Sequence, residues 1–255
     1  MIFFVKALTC ANHNNHKNLR SILTTTMRFC ILAPLLCFLT GLLSSGSFAQ
    51  SNHKSYEKYP YLLYLPKDYV DKKADYPLVI YLHGGSQKGR DLNKLKTYGL
   101  PHLVDKGRDF NFIIASPQCP DGKFWLTDNW LDSLYNELRA KYRIDPKRVY
   151  LTGISMGGYG VWQTAVAYPD KFAAIMPLCG CDDSTQICRI KHIPVWTFHG
   201  TDDDVIPISE TERLVRRLEA CKGLVKFTRL EKQGHGIQYM FEDQTIYDWL
   251  LKQHK

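Results

Sequence analysis

Arg148-Val-Tyr-Leu-Thr-Gly-Ile-Ser-Met-Gly-Gly158 is the stretch that decides the fold. An apolar strand-like run feeds Gly153-Ile154-Ser155-Met156-Gly157, and a helical segment follows. A serine held on a sharp strand-to-helix turn needs small residues two positions to either side, because strand and helix approach each other there. With glycine and serine each near 7% of residues, the Gly-x-Ser-x-Gly pattern arises by chance only about 0.08 times in a chain of this length. Its place between a strand and a helix makes Ser155 a candidate nucleophile.

Working outward, similar apolar runs recur. Pro77–Leu82 ends at His83-Gly84-Gly85, Asn111–Ser116 at Pro117, and Phe172–Leu178 at Cys179-Gly180. Pro194–Phe198 ends at His199-Gly200, and Val225–Leu230 is the last. Runs that are apolar on both faces suit buried parallel strands. Between them, Leu131, Leu134, Leu138 and Tyr142 recur at helical spacing, as do Leu214, Val215 and Leu218. Ser209 and Glu212 read as a capping box for the second of these helices. Ile237–Gln253, with Met240, Tyr247, Leu250 and Leu251, reads as a C-terminal helix. This alternation predicts an α/β fold with a mostly parallel sheet and helices on both faces. Residues 50–255 form one such domain, with little chain left over for a separate lid.

A serine hydroxyl is a poor nucleophile at neutral pH and needs a base oriented by an acid. The acid candidates are Asp202, Asp203 and Asp204, just beyond the strand that ends at His199-Gly200. The base candidate is His235, set between Gly234 and Gly236 after the last strand. His83 and His199 also end strands, but each precedes glycine in a turn and reads as a hydrogen-bonded structural residue. His192 and His254 have no such context. One oxyanion-hole N–H should come from Met156, the residue after the nucleophile.

These motifs together resemble serine α/β-hydrolases of the dienelactone hydrolase and acyl-protein thioesterase type. More narrowly, they resemble secreted bacterial esterases related to polyhydroxybutyrate depolymerases and feruloyl esterases, some labelled predicted peptidases. The likeness covers roughly residues 76–252. It rests on Tyr81–Gly85, Ala115–Pro120, Arg148–Gly158, Phe172-Ala-Ala, His199–Pro207 and Gly234-His235. The resemblance implies an α/β-hydrolase fold and a Ser155–Asp203–His235 triad, Asp203 being selected by its spacing from His199 and Pro207. Asp204 is the alternative, since three successive aspartates leave the register open by one. The resemblance also assigns the second oxyanion-hole N–H to Gly85. It implies an acyl-enzyme mechanism acting on carboxylic esters with short-chain, aromatic or carbohydrate-linked acyl groups, without metal or other cofactor. A prolyl-oligopeptidase-type peptidase and a non-catalytic hydrolase-fold binding protein are the alternatives. Trp125 and Tyr159 are candidates for a substrate pocket.

The composition (45% hydrophobic, 23% charged, 13% aromatic) excludes a disordered or collagen-like chain and a disulfide-dense mini-protein. Half of the formal charge of +8 lies at the N-terminus, where residues 1–49 hold Lys6, Lys17, Arg20 and Arg28 and no acid. Setting those four aside leaves 29 basic against 25 acidic residues, which is no argument for a nucleic-acid partner. Met27-Arg28, the apolar run Phe29–Leu43 and the exit Ser44–Ala49 read as a cleavable signal peptide. Met27 is then the expected start, cleavage follows Ala49, and the product is secreted or periplasmic, with no membrane association beyond the signal. The run is short for a membrane span. Five cysteines remain after residue 49: Cys119, Cys179, Cys181, Cys188 and Cys221. Cys181 and Cys188, flanking a short polar loop, are the expected pair. No Cys-x₂-Cys with a matching histidine pair exists, so no zinc site is expected.

Overall fold

A computed structural model describes residues 51–54 and 59–255 of the chain. The expected signal segment, residues 1–49, lies outside the described residues. Among the described residues, eight strands form one sheet: β1 (Ser51–Lys54), β2 (Pro60–Tyr64), β3 (Tyr76–Leu82), β4 (Ile113–Pro117), β5 (Ile144–Ile154), β6 (Ala174–Leu178), β7 (Val195–Gly200) and β8 (Val225–Leu230). The α-helices of the described residues connect or cover them: α1 (Leu100–Asp105), α2 (Trp130–Lys141), α3 (Met156–Ala167), α4 (Ile208–Ala220) and α5 (Gln244–Leu251). The spatial order is β1-β2-β4-β3-β5-β6-β7-β8. From β4 to β8 every neighbouring pair is parallel, whereas β1 and β2 are antiparallel additions at one edge.

The central strand shows why the apolar runs are continuous. Every residue of β3 is buried. Leu78, Ile80 and Leu82 face a core shared with α2, α3 and α4, while Val79 and Tyr81 face a second core containing Leu100, Ile246, Tyr247 and Leu250. A strand sandwiched between two helical layers has no polar face to show.

Two local expectations are corrected. The Ser209–Glu212 capping box does not form: α4 starts at Ile208 behind Pro207, with no side-chain cap, and Ser209 lies inside the helix. Glu212 is instead drawn into ion pairs with Arg229 of β8 and Arg216. The C-terminal helical pattern is split. Residues Gln238–Glu242 form a 3₁₀ turn, and Asp243 then caps α5, its carboxylate accepting the Thr245 N–H at 2.9 Å. Asp at an N-cap is favoured because it satisfies an N–H that has no partner within the helix.

The disulfide expectation also fails. Cys188 bonds to Cys221, with Cα atoms 5.7 Å apart, and Cys181 is a buried thiol outside that disulfide. A 3₁₀ segment, Ser184–Ile190, carries Cys188 away from Cys181 and alongside the end of α4, where Cys221 caps the helix.

Candidate active site

The carboxyl ends of the parallel strands carry the reactive side chains, as open α/β sheets dispose their sites. β5 ends at Ile154, and Ser155 turns the chain into α3 with φ 57° and ψ −120°. A non-glycine residue at such a φ costs on the order of 1–3 kcal/mol and must be held by its surroundings. Its N–H donates to Leu178 O of β6 at 3.0 Å, and its carbonyl accepts from Tyr159 N–H at 2.9 Å. The flanking glycines allow the approach. A Cβ on Gly153 would sit 2.5 Å from the Leu82 carbonyl oxygen, and one on Gly157 would collide with the same carbonyl.

His235 reaches Ser155 from the loop after β8. Its Nε2 lies 2.7 Å from Ser155 Oγ, and its Nδ1 lies 2.8 Å from Asp203 Oδ2. Asp203 stands on the turn after β7 with its side chain wholly shielded from solvent. Oδ1 accepts the N–H groups of Val205 (2.9 Å) and Ile206 (2.8 Å), and Oδ2 is also 3.1 Å from His199 Nε2. Burial by itself would raise this carboxyl. The hydrogen bonds from His199, His235 and Ile206 outweigh it and hold Asp203 well below the usual carboxylate range. Asp202 and Asp204 are exposed, and Asp202 accepts from the neighbouring Thr201 hydroxyl.

Met156 opens α3, so its N–H has no acceptor within the helix. Gly85 opens the 3₁₀ turn Gly85–Gln87 after β3 and is likewise free of an intrahelical acceptor. The Gly84–Gly85 loop lies against the nucleophile: a Cβ on Gly84 would be 3.6 Å from Ser155 Cβ. That same Cβ would come within 2.7 Å of the Tyr98 hydroxyl, which lies 3.2 Å from Ser86 Oγ. Tyr98, far upstream in a polar stretch, carries no sequence signal that would have marked it.

His83 supports this loop. Nδ1 donates to Gly84 O at 2.6 Å and Nε2 accepts from Cys119 N–H at 2.9 Å, which fixes a neutral tautomer. Burial pushes its pKa down to about 4. The pocket expectation for Trp125 is corrected. Its indole is fully buried, meets the His83 ring edge-on with centroids 4.9 Å apart, donates to His83 O, and packs so closely on Gly160 that a Cβ there would lie 2.5 Å from Cδ1. Trp125 therefore wedges α3 against the loop after β3 and offers no surface to a ligand. Tyr159, beside the elbow, is partly exposed.

Ligand atoms of Cys179, Asp203 and His235 lie within 4.8 Å of one another. The Asp203 oxygens are already occupied by N–H groups, however, and burial pushes the Cys179 thiol far above its ordinary range. This donor set is committed to hydrogen bonds. Chemically, a hydroxyl, an imidazole and an ionised carboxylate in line, beside two N–H groups without a helical acceptor, can pass a proton and stabilise an oxyanion.

Residues 126–251 match a family described as Phospholipase/Carboxylesterase. Among curated proteins, a bifunctional acetylxylan esterase/xylanase of Neocallimastix patriciarum is 31% identical over 146 residues, covering 55% of this chain and 21% of that protein. A poly(3-hydroxyoctanoate) depolymerase of Pseudomonas fluorescens is 30% identical over 132 residues, covering 41% of this chain and 46% of the depolymerase. The chain thus spans less than half the length of these relatives. Among solved structures, a thermostable esterase shares 32% identity with a TM-score of 0.69, covering 82% of this chain and 63% of the esterase. A ferulic acid esterase matches in fold at 16% identity and a TM-score of 0.61, over 79% of this chain and 95% of the esterase.

Proposed function

We propose that this chain, an α/β-hydrolase by fold, is a carboxylic-ester hydrolase working through an acyl-enzyme on Ser155. One observation carries the reading: Ser155 Oγ, His235 and Asp203 form an unbroken hydrogen-bonded line with links of 2.7 and 2.8 Å. The esterase relatives support the same choice of bond.

In the proposed reaction His235 Nε2 takes the Ser155 hydroxyl proton as Oγ bonds to the ester carbonyl carbon. The carbonyl oxygen becomes an oxyanion and is met by the N–H groups of Met156 and Gly85. Asp203, held ionised, stabilises the imidazolium and keeps Nδ1–H pointing inward. Collapse of the intermediate expels the alcohol, which takes the proton from His235 and leaves Ser155 acylated. Water, deprotonated by His235, then attacks the acyl carbon, releasing the acid and restoring Ser155. Exposed Phe124, Val205 and Tyr239 stand on loops that follow β4, β7 and β8, the same end of the sheet as Ser155. They favour an ester with apolar or aromatic substituents. The N-terminal segment supports export to the periplasm or medium, with the mature chain starting at Gln50.

The test is turnover of p-nitrophenyl, feruloyl and acetyl-sugar esters beside short peptides, with Ser155→Ala in parallel. Ester turnover that falls by several orders of magnitude in the variant is expected, together with fluorophosphonate labelling of Ser155 alone. Peptide turnover exceeding ester turnover, or undiminished activity in Ser155→Ala, would defeat the reading. N-terminal sequencing of exported protein tests the start at Gln50.

A further inference from the structure

Asp203 has a second histidine behind it. His199, the penultimate residue of β7, is fully buried. Its Nε2 faces two oxygens, Ile206 O at 2.8 Å and Asp203 Oδ2 at 3.1 Å. Neither oxygen carries a proton to give, since Oδ2 already accepts from His235 and Asp203 is held ionised. Nε2 is therefore protonated. Its other nitrogen, Nδ1, lies 2.7 Å from the Thr211 hydroxyl of α4. That hydroxyl has one proton, and its oxygen stands 2.7 Å from the Gly180 carbonyl, which can only accept. With the Thr211 proton spent on Gly180, Nδ1 must supply the proton in the bond to Thr211. Every contact is satisfied only if both ring nitrogens carry hydrogen. A neutral His199 would leave two acceptors facing each other in a buried site, which is costly.

We propose that His199 is a buried imidazolium, paired with the same Asp203 oxygen that faces His235, and that it is a positioning residue tuning the base. The two imidazoles share the same Asp203 oxygen, His235 at 2.8 Å and His199 at 3.1 Å. A fixed positive charge there divides the attraction of the carboxylate and disfavours a second positive charge on His235. His235 then stays neutral, and able to accept the Ser155 proton, to lower pH than a lone carboxylate would permit. The surrounding charges do not substitute for it. On β8, Arg229 is paired with Glu212. On α4, Arg213 is paired with Glu210. Asp202 and Asp204 stand in solvent, and burial keeps the Cys179 thiol of the segment after β6 protonated. Asp182, following Cys181, is raised by burial to about 6 and titrates in the same window.

The tuning rests on the ester-hydrolase reading, whereas the protonation state of His199 is read without any substrate. In the full chain labelled with ¹⁵N-histidine, both ring nitrogens of His199 should carry protons at about neutral pH. A His199 with one bare nitrogen overturns the proposal. Thr211→Val keeps the side-chain shape but removes the acceptor at Nδ1, so the second proton should be lost. The acidic limb of kcat/KM should then move up by about one to two pH units, for charges about 6 Å apart at an effective dielectric near 20. Thr211→Ser should restore the original limb. The profiles are measured in the native and Asp182→Asn backgrounds, which separates the two titrations. A purely structural His199 would lower kcat/KM evenly at all pH values, and an unmoved limb in Thr211→Val refutes the tuning. These outcomes leave the ester-hydrolase reading intact, because that reading falls if activity survives Ser155→Ala or if peptides are turned over faster than esters.

Discussion

Gly157 packs directly beneath the carbonyl of Leu82, so closely that no side-chain carbon fits between them. The contact binds the start of α3 to the end of β3, and with it the serine turn to the loop bearing Gly85. Gly157→Ala should destabilise the protein by about 3 kcal/mol or more, since backbone must shift on both sides. At Gly85 an added Cβ meets nothing within 4 Å, and φ there is not positive. Gly85→Ala should therefore leave the unfolding midpoint unchanged. Thermal or urea denaturation of the pair checks the contrast, and equal losses would contradict it.

Among the three successive aspartates, only Asp203 points inward. We expect Asp203→Asn to lower kcat by about 10³–10⁴, through loss of the correct imidazole tautomer. Asp202→Asn and Asp204→Asn, at exposed positions, should change kcat little. Steady-state kinetics on one ester substrate decides this. Greatest damage from Asp204→Asn would move the acid by one residue.

Cys188 and Cys221 close a loop with a sequence separation of 33 residues. The chain-entropy relation puts the stabilisation at about 3–4 kcal/mol for such a loop. Cys221→Ser should lower the denaturation midpoint accordingly while kcat at room temperature holds, since the bond lies at the far end of α4 from Ser155. Cys181→Ser should have no comparable effect. The reverse order would restore the pairing of Cys181 with Cys188.

Asp182 gives a pH signature in stability. Burial raises its carboxyl from 3.8 to about 6 in the folded chain, so the unfolded chain releases that proton first as pH rises. Folding stability attributable to this group is then highest below about pH 4 and declines until about pH 6, beyond which it is constant. The total is about 2–3 kcal/mol. Asp182→Asn cannot ionise, so its advantage over the native chain should grow across that window and level off. Unfolding free energies measured from acid to neutral pH test the trend, and a variant advantage independent of pH would contradict it.

The architecture was legible because its central strands β3, β4, β6 and β7 are buried on both faces. Runs such as Pro77–Leu82 have no amphipathic ambiguity, and those of β3, β4, β6 and β7 meet glycine or proline within two residues. β2 escaped notice because Tyr61–Tyr64 is only four apolar residues long, and its antiparallel pairing with β4 joins segments some fifty residues apart. The capping box at Ser209 failed because Pro207 already set the start of α4 and Glu212 found Arg229. Trp125 was read as a pocket residue since aromatic residues in loops serve either role. Packing against Gly160 and His83 decided which.

Local sequence determined the succession of the parallel strands β3 to β8, the serine turn with its two obligatory glycines, and the residue types able to form a relay. Those properties follow from short-range sterics and periodicity, which a linear chain displays. Tertiary structure alone decided which aspartate faces His235, which cysteine meets Cys188, and that His199 lies behind Asp203 with Thr211 and Gly180. Each of these depends on where a turn places a side chain relative to another strand. A shift of one residue reverses that direction without changing the composition of the segment.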